Sequence, residues 1–312
     1  MSEIVKKSSL DRKMDKIKFL EESGQLNSKL RNRTLSKIRS NKLAIIGVAI
    51  FLIICILCFA APLFTKYSPT KISLKERMAP PSAEHIFGCD QMGRDVWCRM
   101  LYGGRISILI GLGSALGAVI LGVSLGMYVG YKGGWADKII LKISEIFLSF
   151  PQMVLIIIVV ALVGQSLQNM IIIFILTGWP SMYRMARSKV LSLREQEFVQ
   201  ALRAFGISDS LIAFKHLLPN AVGPIVVNIT LSTAMFILQE ASLSVLGYGV
   251  PQEIATWGNI INVITNSGTI RFDWLQYWWM WLPCSIMLVL FVLSINFIGD
   301  GLRDASDPTQ IG

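Results

Sequence analysis

The sequence predicts an all-α membrane protein with about six transmembrane helices and its N-terminus on the cytoplasmic side. Of its 312 residues, 53% are hydrophobic and 16% are charged, whereas soluble domains carry about 25% charged residues. The hydrophobic residues lie in blocks of roughly 20, the length that a helix needs to cross a hydrocarbon core of about 30 Å. Residues 1–42 hold 12 Lys and Arg against 5 Asp and Glu. A basic tail of this kind, ahead of the first apolar block, is typical of a cytoplasmic N-terminus.

The apolar blocks define six predicted spans. The charge-free run from 146 to 183 is too long for one span, so the polar sequence GQSLQN at 164–169 is predicted to be a turn between two spans. The predicted spans are 43–64, a stretch within 106–131, 139–163, 169–187, 221–247 and 278–299.

The distribution of basic residues sets the orientation of these spans. With the N-terminus inside, 22 of the 30 Lys and Arg residues lie on the cytoplasmic side and 8 on the outer side, as the positive-inside rule favours. The chain then divides into four parts: a basic cytoplasmic tail at 1–40, the first span with an extracellular segment at 41–102, a core of five spans at 103–303, and a cytoplasmic C-terminal tail at 304–312.

A polar segment at 198–220, which we call the knuckle, lies between predicted spans four and five. Its first part predicts a short helix that ends at Gly206, where a left-handed residue costs least. Ser208 is the predicted N-cap of a second helix, with Asp209 in its first turn. Pro219 cannot continue a regular helix and is predicted to end it.

The second helix of the knuckle is amphipathic. Four apolar residues at helical spacing form a stripe predicted to face a partner: Ile207, Leu211, Phe214 and Leu218. Arg203 and Lys215 supply a basic flank. Three interpretations remain open from these residues: a docking element, a hairpin packed on its own protein, and a DNA-reading helix-turn-helix. A recognition helix needs Arg, Asn, Gln or Lys at its exposed face, whereas this helix offers mostly Leu, Ile and Phe.

Three polar residues lie in or near predicted spans, where burying a charge costs about 2.5–3.5 kcal/mol on insertion scales. They are Glu145, Gln239 and Glu240, and each is a candidate either for lining a pathway or for fixing helix packing. The sequence contains no G-x-x-x-x-G-K-[ST] loop, so we expect no ATP site in this chain.

The predicted extracellular segment contains a turn-rich charged cluster, which we expect to be a structural cap held by local hydrogen bonds. Its members are Asp90, Gly93, Arg94 and Asp95. Cys89 and Cys98 flank this cluster, nine residues apart, and are either a disulfide or two free thiols.

The knuckle also carries a family motif, E-A-A-x3-G followed about a dozen residues later by L-P. The matching residues are Gln200, Ala201, Leu202, Gly206, Leu218 and Pro219, with Gln200 and Leu202 in place of Glu and the second Ala. A six-span protein with this motif between spans four and five resembles the permease subunit of a bacterial ABC importer.

Other segments are similar to the second-permease type of the dipeptide, oligopeptide and nickel branch of this family, and the resemblance covers about 40–308. These segments are GCDQMGRDVWCRMLYGGRIS at 88–107, GGWAD at 133–137, LSFP at 148–151, LQEASLSVLGYG at 238–249, WGNII at 257–261 and GDGLRDASDP at 299–308.

The resemblance implies a type I ABC importer permease fold in the cell membrane, with a coupling loop at 188–220. It implies a homologous second permease, two cytoplasmic ABC ATPases that bind ATP and Mg²⁺, and an extracellular substrate-binding lipoprotein. The implied cargo is peptides, with nickel or a metal–chelator complex as the alternative. No cofactor and no metal site are expected in this chain, and no nucleic acid is expected among its partners. The implied ATPase-coupling residues are Gln200, Ala201, Leu202, Arg203, Phe205, Gly206, Ile207, Ser208, Asp209, Leu211, Phe214, Leu218 and Pro219.

Overall fold

A computed structural model describes residues 41–263, 273 and 275–306 of the chain. These residues are mainly α-helical, and the described part of the chain contains no strand. The helices are α1 (Lys42–Phe59), α2 (Ala61–Phe64), α3 (Val96–Lys132), α4 (Gly134–Ser149), α5 (Gln152–Val163), α6 (Leu167–Arg194), α7 (Glu197–Ala204), α8 (Asp209–Leu211), α9 (Leu218–Val245), α10 (Trp257–Ile261) and α11 (Leu282–Ser306). The predicted tail at 1–40 and the end of the chain at 307–312 lie outside the described residues.

Four helical stretches are long and apolar enough to cross a membrane: α1, α3, the continuous stretch from α8 to α9, and α11. The pair α4 and α5 makes a fifth if it counts as one span. The predicted span at 169–187 corresponds to α6, which does not meet the same criterion. The middle of α6 carries polar and small residues, and it is buried against other helices, so it needs less apolar surface for lipid.

The third predicted span, at 139–163, is not a single straight helix. Its two halves, α4 and α5, meet at 92°. Phe150 between them is extended, with φ −94° and ψ 145°, because the helical conformation is disfavoured for a residue that precedes proline. Pro151 also has no N–H to donate to the helical hydrogen bonds. This part of the chain is therefore a bent pair.

Helix α3 lies at the centre of the bundle and contacts α1, α6 and α9. Its small residues allow close approach to α6: a Cβ added to Gly122 would lie 2.5 Å from the carbonyl oxygen of Trp179, and one on Gly126 would lie 2.7 Å from that of Tyr183. The glycine-rich face of this helix therefore serves tight helix packing.

The predicted cap before α3 is confirmed. Asp90 accepts a hydrogen bond of 2.7 Å from Nε of Arg94 and others from the backbone N–H groups of Met92 and Arg94. Asp95 is the N-cap of α3, and its Oδ1 accepts from the N–H of Cys98 at 2.6 Å. This cap fixes the start of the central helix.

Cys89 and Cys98 are both free and buried, so the disulfide considered from the sequence is not formed. The Sγ of Cys98 donates to the carbonyl oxygen of Tyr67 at 3.1 Å. Burial, together with the carboxylates of Asp95, Glu76 and Asp90, raises the pKa of the Cys89 thiol to about 12. A thiol with this pKa is a poor nucleophile for disulfide exchange.

Candidate functional site

The first turn of the knuckle is a Schellman motif. Helix α7 ends before Gly206, which adopts the predicted left-handed conformation with φ +74°. The N–H of Gly206 donates to the carbonyl of Arg203 at 2.9 Å, and the N–H of Ile207 donates to that of Leu202 at 3.2 Å. These are the two bonds that define the motif, and the side chains of Leu202 and Ile207 both pack against the core. The turn therefore has a single, locally determined geometry.

The second helix of the knuckle begins at Asp209, as predicted, with Ser208 at the N-cap position. Ser208 is in the extended region typical of an N-cap, but its side chain makes no capping hydrogen bond. The carbonyl of Ser208 accepts the first hydrogen bond of the helix, from the N–H of Ile212 at 3.0 Å. Asp209 in the first turn complements the positive end of the helix dipole.

The prediction that Pro219 ends this helix is wrong. A π-helical turn at Ile212–Leu217 joins α8 to α9, so one helical stretch runs from Asp209 to Val245. The N–H of Leu218 donates to the carbonyl of Ala213, five residues back. Pro219 follows directly at the first turn of α9, where a missing N–H is tolerated. The knuckle is therefore continuous with a predicted membrane span.

The predicted apolar stripe divides between two faces. Ile207 and Leu218 are partly buried against the core, whereas Leu211 and Phe214 are exposed. The π turn has more residues per turn than an α-helix, so it rotates Leu218 away from the face that Leu211 occupies. The buried face consists of Val199, Ile212, Ala213 and Leu217, none of which is accessible to solvent.

Four large apolar side chains of the knuckle are exposed, and we call this set the apolar face. Its members are Phe198, Phe205, Leu211 and Phe214, with exposures of 40%, 83%, 45% and 40%. Around it lie further exposed members of the predicted coupling set: Gln200, Ala201, Arg203, Gly206, Ser208, Asp209 and Pro219. Large apolar side chains grouped in this way on a surface mark an interaction site.

Arg203 connects the knuckle to the end of α3. Its Nε donates to the hydroxyl of Tyr131 at 2.8 Å, and its guanidinium lies 4.9 Å from the centre of the Tyr131 ring. The hydrogen bond to Tyr131 raises the pKa of Arg203. Tyr131 is itself buried, so this contact anchors the knuckle to the central helix.

A buried ion pair holds α4 against α6 near the same end of the bundle. Arg187 donates from Nε and Nη2 to the two carboxylate oxygens of Asp137, each at 2.6 Å. The hydroxyl of Tyr183 also donates to Asp137, at 3.0 Å. Asp137 belongs to the GGWAD segment, but its partners are about 50 residues away in sequence and carry no pattern that predicts the pairing.

The candidate pathway residues lie in different surroundings. Glu145 is exposed and pairs with Lys142 at 3.3 Å. Gln239 is partly buried, and its Nε2 donates to Oε1 of Gln152 at 3.1 Å, which joins α9 to α5. The three predicted residues therefore do not form one cluster.

Glu240 is fully buried and fastens α10 to α9. Its Oε1 accepts hydrogen bonds from Ser244 at 2.9 Å and from Thr256, the N-cap of α10, at 2.8 Å. The hydroxyl of Thr256 in turn accepts from the N–H of Asn259 at 3.0 Å. This network supports the packing interpretation of Glu240.

We expect Glu240→Leu to lower the free energy of unfolding by about 2 kcal/mol, because two buried hydroxyl groups lose their acceptor. Glu240→Gln keeps an oxygen at this position and is expected to cost less than half as much. Thermal unfolding of the purified chain in detergent measures both changes. Equal stabilities for the two variants would contradict the assigned network.

Comparison with known proteins identifies the class to which this fold and knuckle belong. Residues 122–311 match the family described as binding-protein-dependent transport system inner membrane component. Residues 30–81 match the N-terminal transmembrane domain of oligopeptide transport permease C. The chain belongs to this family, and it is an integral membrane permease subunit of an ABC importer.

Individual relatives extend over nearly the whole chain. The dipeptide transport system permease protein DppC of Alkalihalophilus pseudofirmus is 42% identical over 273 residues, which cover 87% of this chain and 88% of the relative. The oligopeptide transport system permease protein OppC of Bacillus subtilis is 37% identical, covering 87% of each chain. Among solved structures, an inward-facing MetNI methionine ABC transporter matches with a TM-score of 0.50 at 21% identity, over 67% of this chain and 96% of that one. The likeness to this structure shows the fold.

Proposed function

We propose that this chain forms half of the translocation pathway of an ATP-driven importer of dipeptides or oligopeptides. The assignment of peptides as the cargo rests on the 37–42% identity to dipeptide and oligopeptide permeases over 87% of the chain. These relatives give no support to the nickel alternative. A homologous second permease would supply the other half of the pathway, and an extracellular binding protein would deliver the peptide.

The knuckle is the proposed contact with the ATPase subunits, which would bind ATP and Mg²⁺. Its apolar face would fill a groove on the ATPase, and burying a Phe or Leu side chain contributes roughly 1.5–3 kcal/mol. Its exposed phenylalanines lie on both sides of the Gly206 turn, with Phe198 and Phe205 before it and Phe214 after it. The DNA-binding alternative is not proposed, because Leu211, Phe214 and Lys215 at the exposed face of the second helix do not form a base-reading set.

Two connections between the knuckle and the spans support this coupling role. The second knuckle helix continues into α9 as one stretch of 37 residues, which is about 55 Å long. A displacement of the knuckle would therefore move α9 with it. Arg203, which donates to the hydroxyl of Tyr131 in the last turn of α3, would pass the same displacement to α3. ATP binding would close the ATPases, move both helices and open the pathway outward, and hydrolysis would reset it.

The first test is affinity purification of the chain from native membranes after gentle solubilisation, followed by mass spectrometry. We expect a second six-span permease and Walker-motif ATPases in the purified complex, and the binding protein should bind peptides in preference to nickel complexes. Recovery of the chain alone, from a preparation in which known membrane assemblies survive, would contradict the proposal. A binding protein that binds only metal complexes would contradict the proposed peptide cargo but not the proposed subunit assembly.

Phe214→Asp tests the apolar face directly. A carboxylate in a closed apolar interface loses its hydration without a partner, so we expect loss of the ATPases from the purified complex while the second permease remains. Leu74→Asp is the matched control, because Leu74 is 75% exposed and lies before the N-terminus of α3. The knuckle contacts the opposite, C-terminal end of that helix. Retention of the ATPases by Phe214→Asp would show that this face is not the docking surface.

A further inference from the structure

Three side chains in the predicted extracellular segment bring metal-binding atoms together. A carboxylate oxygen of Glu76, a ring nitrogen of His85 and the sulfur of Cys89 lie within 4.8 Å of one another. His85 and Cys89 are buried, whereas the Glu76 side chain is 45% exposed. A cation would therefore reach the cluster from solvent past Glu76.

The imidazole of His85 is already oriented. Its Nδ1 lies 2.8 Å from Oδ2 of the buried Asp95, and its ring packs against Tyr67 with centroids 4.8 Å apart. An ionised Asp95 carboxylate can only accept, so Nδ1–H donates to it in the neutral imidazole. Nε2 then carries the lone pair and lies 3.7 Å from Oε1 of Glu76. Metal-binding histidines typically donate their second ring N–H to a carboxylate in this way.

The backbone around the cluster is fixed by its own hydrogen bonds. The carbonyl of His85 accepts from the N–H groups of Ser82 and Gly88, each at 2.9 Å. The N–H of Cys89 donates to the carbonyl of Ala79 at 2.9 Å, and that of Glu76 donates to Ser73 at 3.0 Å. The backbone that carries the three side chains is therefore held by turns that do not depend on a bound ion.

We propose that Glu76, His85 and Cys89 form a binding site for a thiophilic divalent transition metal of the zinc class. One nitrogen, one sulfur and one oxygen donor suit Zn²⁺ and not Mg²⁺ or Ca²⁺, which take oxygen ligands. Without metal, burial and the nearby carboxylates keep the Cys89 thiol protonated, but a bound dication deprotonates a coordinating thiol. Binding therefore releases the thiol proton to solvent, and the thiolate and the Glu76 carboxylate together neutralise the dication. A water completes the fourth position of the tetrahedron.

The proposed metal would brace the segment ahead of α3. It would connect the 3₁₀ turn at Leu74–Glu76 to the residues just before the α3 N-cap, Asp95. This site and the knuckle are at opposite ends of α3, because Tyr131 in the last turn of that 37-residue helix contacts Arg203. Helix α3 alone is about 55 Å long, so the proposal does not depend on the peptide cargo or on ATPase coupling.

The test uses the full-length chain, purified in detergent with a tag that contains no histidine and then stripped of metal with a chelator. Titration with Co²⁺ should give a sulfur-to-cobalt charge-transfer absorption that saturates at a single site, and Zn²⁺ should abolish it by competition. Cys89→Ser should lose this absorption. Cys98→Ser is the matched control, because Cys98 is also a buried free thiol in the same segment, and it should retain the absorption.

Asp95→Asn tests the orientation of His85. The amide oxygen still accepts from the N–H of Cys98 and so keeps the cap of α3, but the carboxylate at Nδ1 is lost. Loss of such a carboxylate typically lowers metal affinity 10–100-fold, and we expect a decrease of roughly that size. Glu84→Gln, at an exposed carboxylate in the same segment, should leave metal affinity within about twofold.

Three results would overturn the proposal: no charge-transfer absorption in the folded wild-type chain, its persistence in Cys89→Ser, or its equal loss in Cys98→Ser. The first would leave His85 as a purely structural partner of Asp95 and Glu76. If Cys89→Ser does not fold, Glu76→Gln at the half-exposed position replaces it. That variant should bind Zn²⁺ at least tenfold more weakly, and unchanged affinity would equally overturn the site.

Discussion

Gly206→Val is expected to reduce ATP-driven uptake at least tenfold while the protein remains in the membrane. Gly206 has φ +74°, and a Cβ built there would meet no atom within 4 Å, so the substitution creates no clash. Its cost is purely conformational: about 1–2 kcal/mol for an L-residue in the left-handed region, and more for a β-branched one. About 1.4 kcal/mol corresponds to a tenfold change in an equilibrium population, so the native Schellman turn would lose at least this much of its advantage over open conformations. The apolar face would then lose its geometry.

Two controls separate the turn from general effects of the substitution. Gly206→Asn introduces a side chain that tolerates the left-handed region and should retain most of the uptake. Gly247→Val places the same strain, at φ +84° and again with no atom within 4 Å, in a Schellman turn at the other end of α9, where the N–H of Gly247 donates to Ser244 and that of Tyr248 to Leu243. It should leave the co-purified ATPases in place. Uptake at the wild-type rate in Gly206→Val, at equal protein in the membrane, would show that the turn geometry is not needed.

Asp137→Asn is expected to lower the free energy of unfolding by about 3 kcal/mol, the largest stability effect we predict. The Asp137 side chain is 10% exposed and that of Arg187 is 22% exposed. Removing one charge leaves the Arg187 guanidinium largely desolvated without its bidentate partner, and breaking such a pair typically costs 3–5 kcal/mol. The value expected here is at the low end because Arg187 retains some contact with solvent.

The exposed pair of Lys142 with Glu145 is the control for this prediction. Its side chains are 76% and 50% exposed, and such pairs contribute about 0–1 kcal/mol. Thermal unfolding in detergent, followed through the reactivity of the buried cysteine thiols, measures both variants. Glu145→Gln should unfold close to the wild type and Asp137→Asn well below it. Similar shifts for the two variants would contradict a structural role for the buried pair.

The parts of the structure that the sequence predicts are those with local causes. The left-handed residue at Gly206, the N-cap position of Ser208 and the turn before α6 each depend on a few neighbouring residues, and all are present. The cap at Asp90 and Arg94 is also local, since the two residues are four positions apart. Such features are set by backbone preferences and short-range hydrogen bonds, which act before any packing partner is chosen.

The features that the sequence does not predict depend on packing. A proline normally ends a helix, yet the π turn before Pro219 keeps the chain helical into α9. The residues of that turn that face the core are fully buried. The 92° bend at Phe150–Pro151 divides a stretch whose hydropathy is that of one span. The contact between Arg203 and Tyr131 joins residues 72 positions apart, and no local pattern encodes such a pairing.

The central claim is that the apolar face of the knuckle docks on an ATPase subunit. Cross-linking from Phe214→Cys tests it most directly, because four of the five native cysteines are buried and Cys55 is partly buried, which leaves the introduced thiol as the readily accessible one. In the solubilised complex, a short bifunctional reagent should join position 214 to the ATPase and leave Leu74→Cys unlinked. Cross-linking of both variants to the ATPase, or of neither in a complex that still contains it, would contradict the assignment.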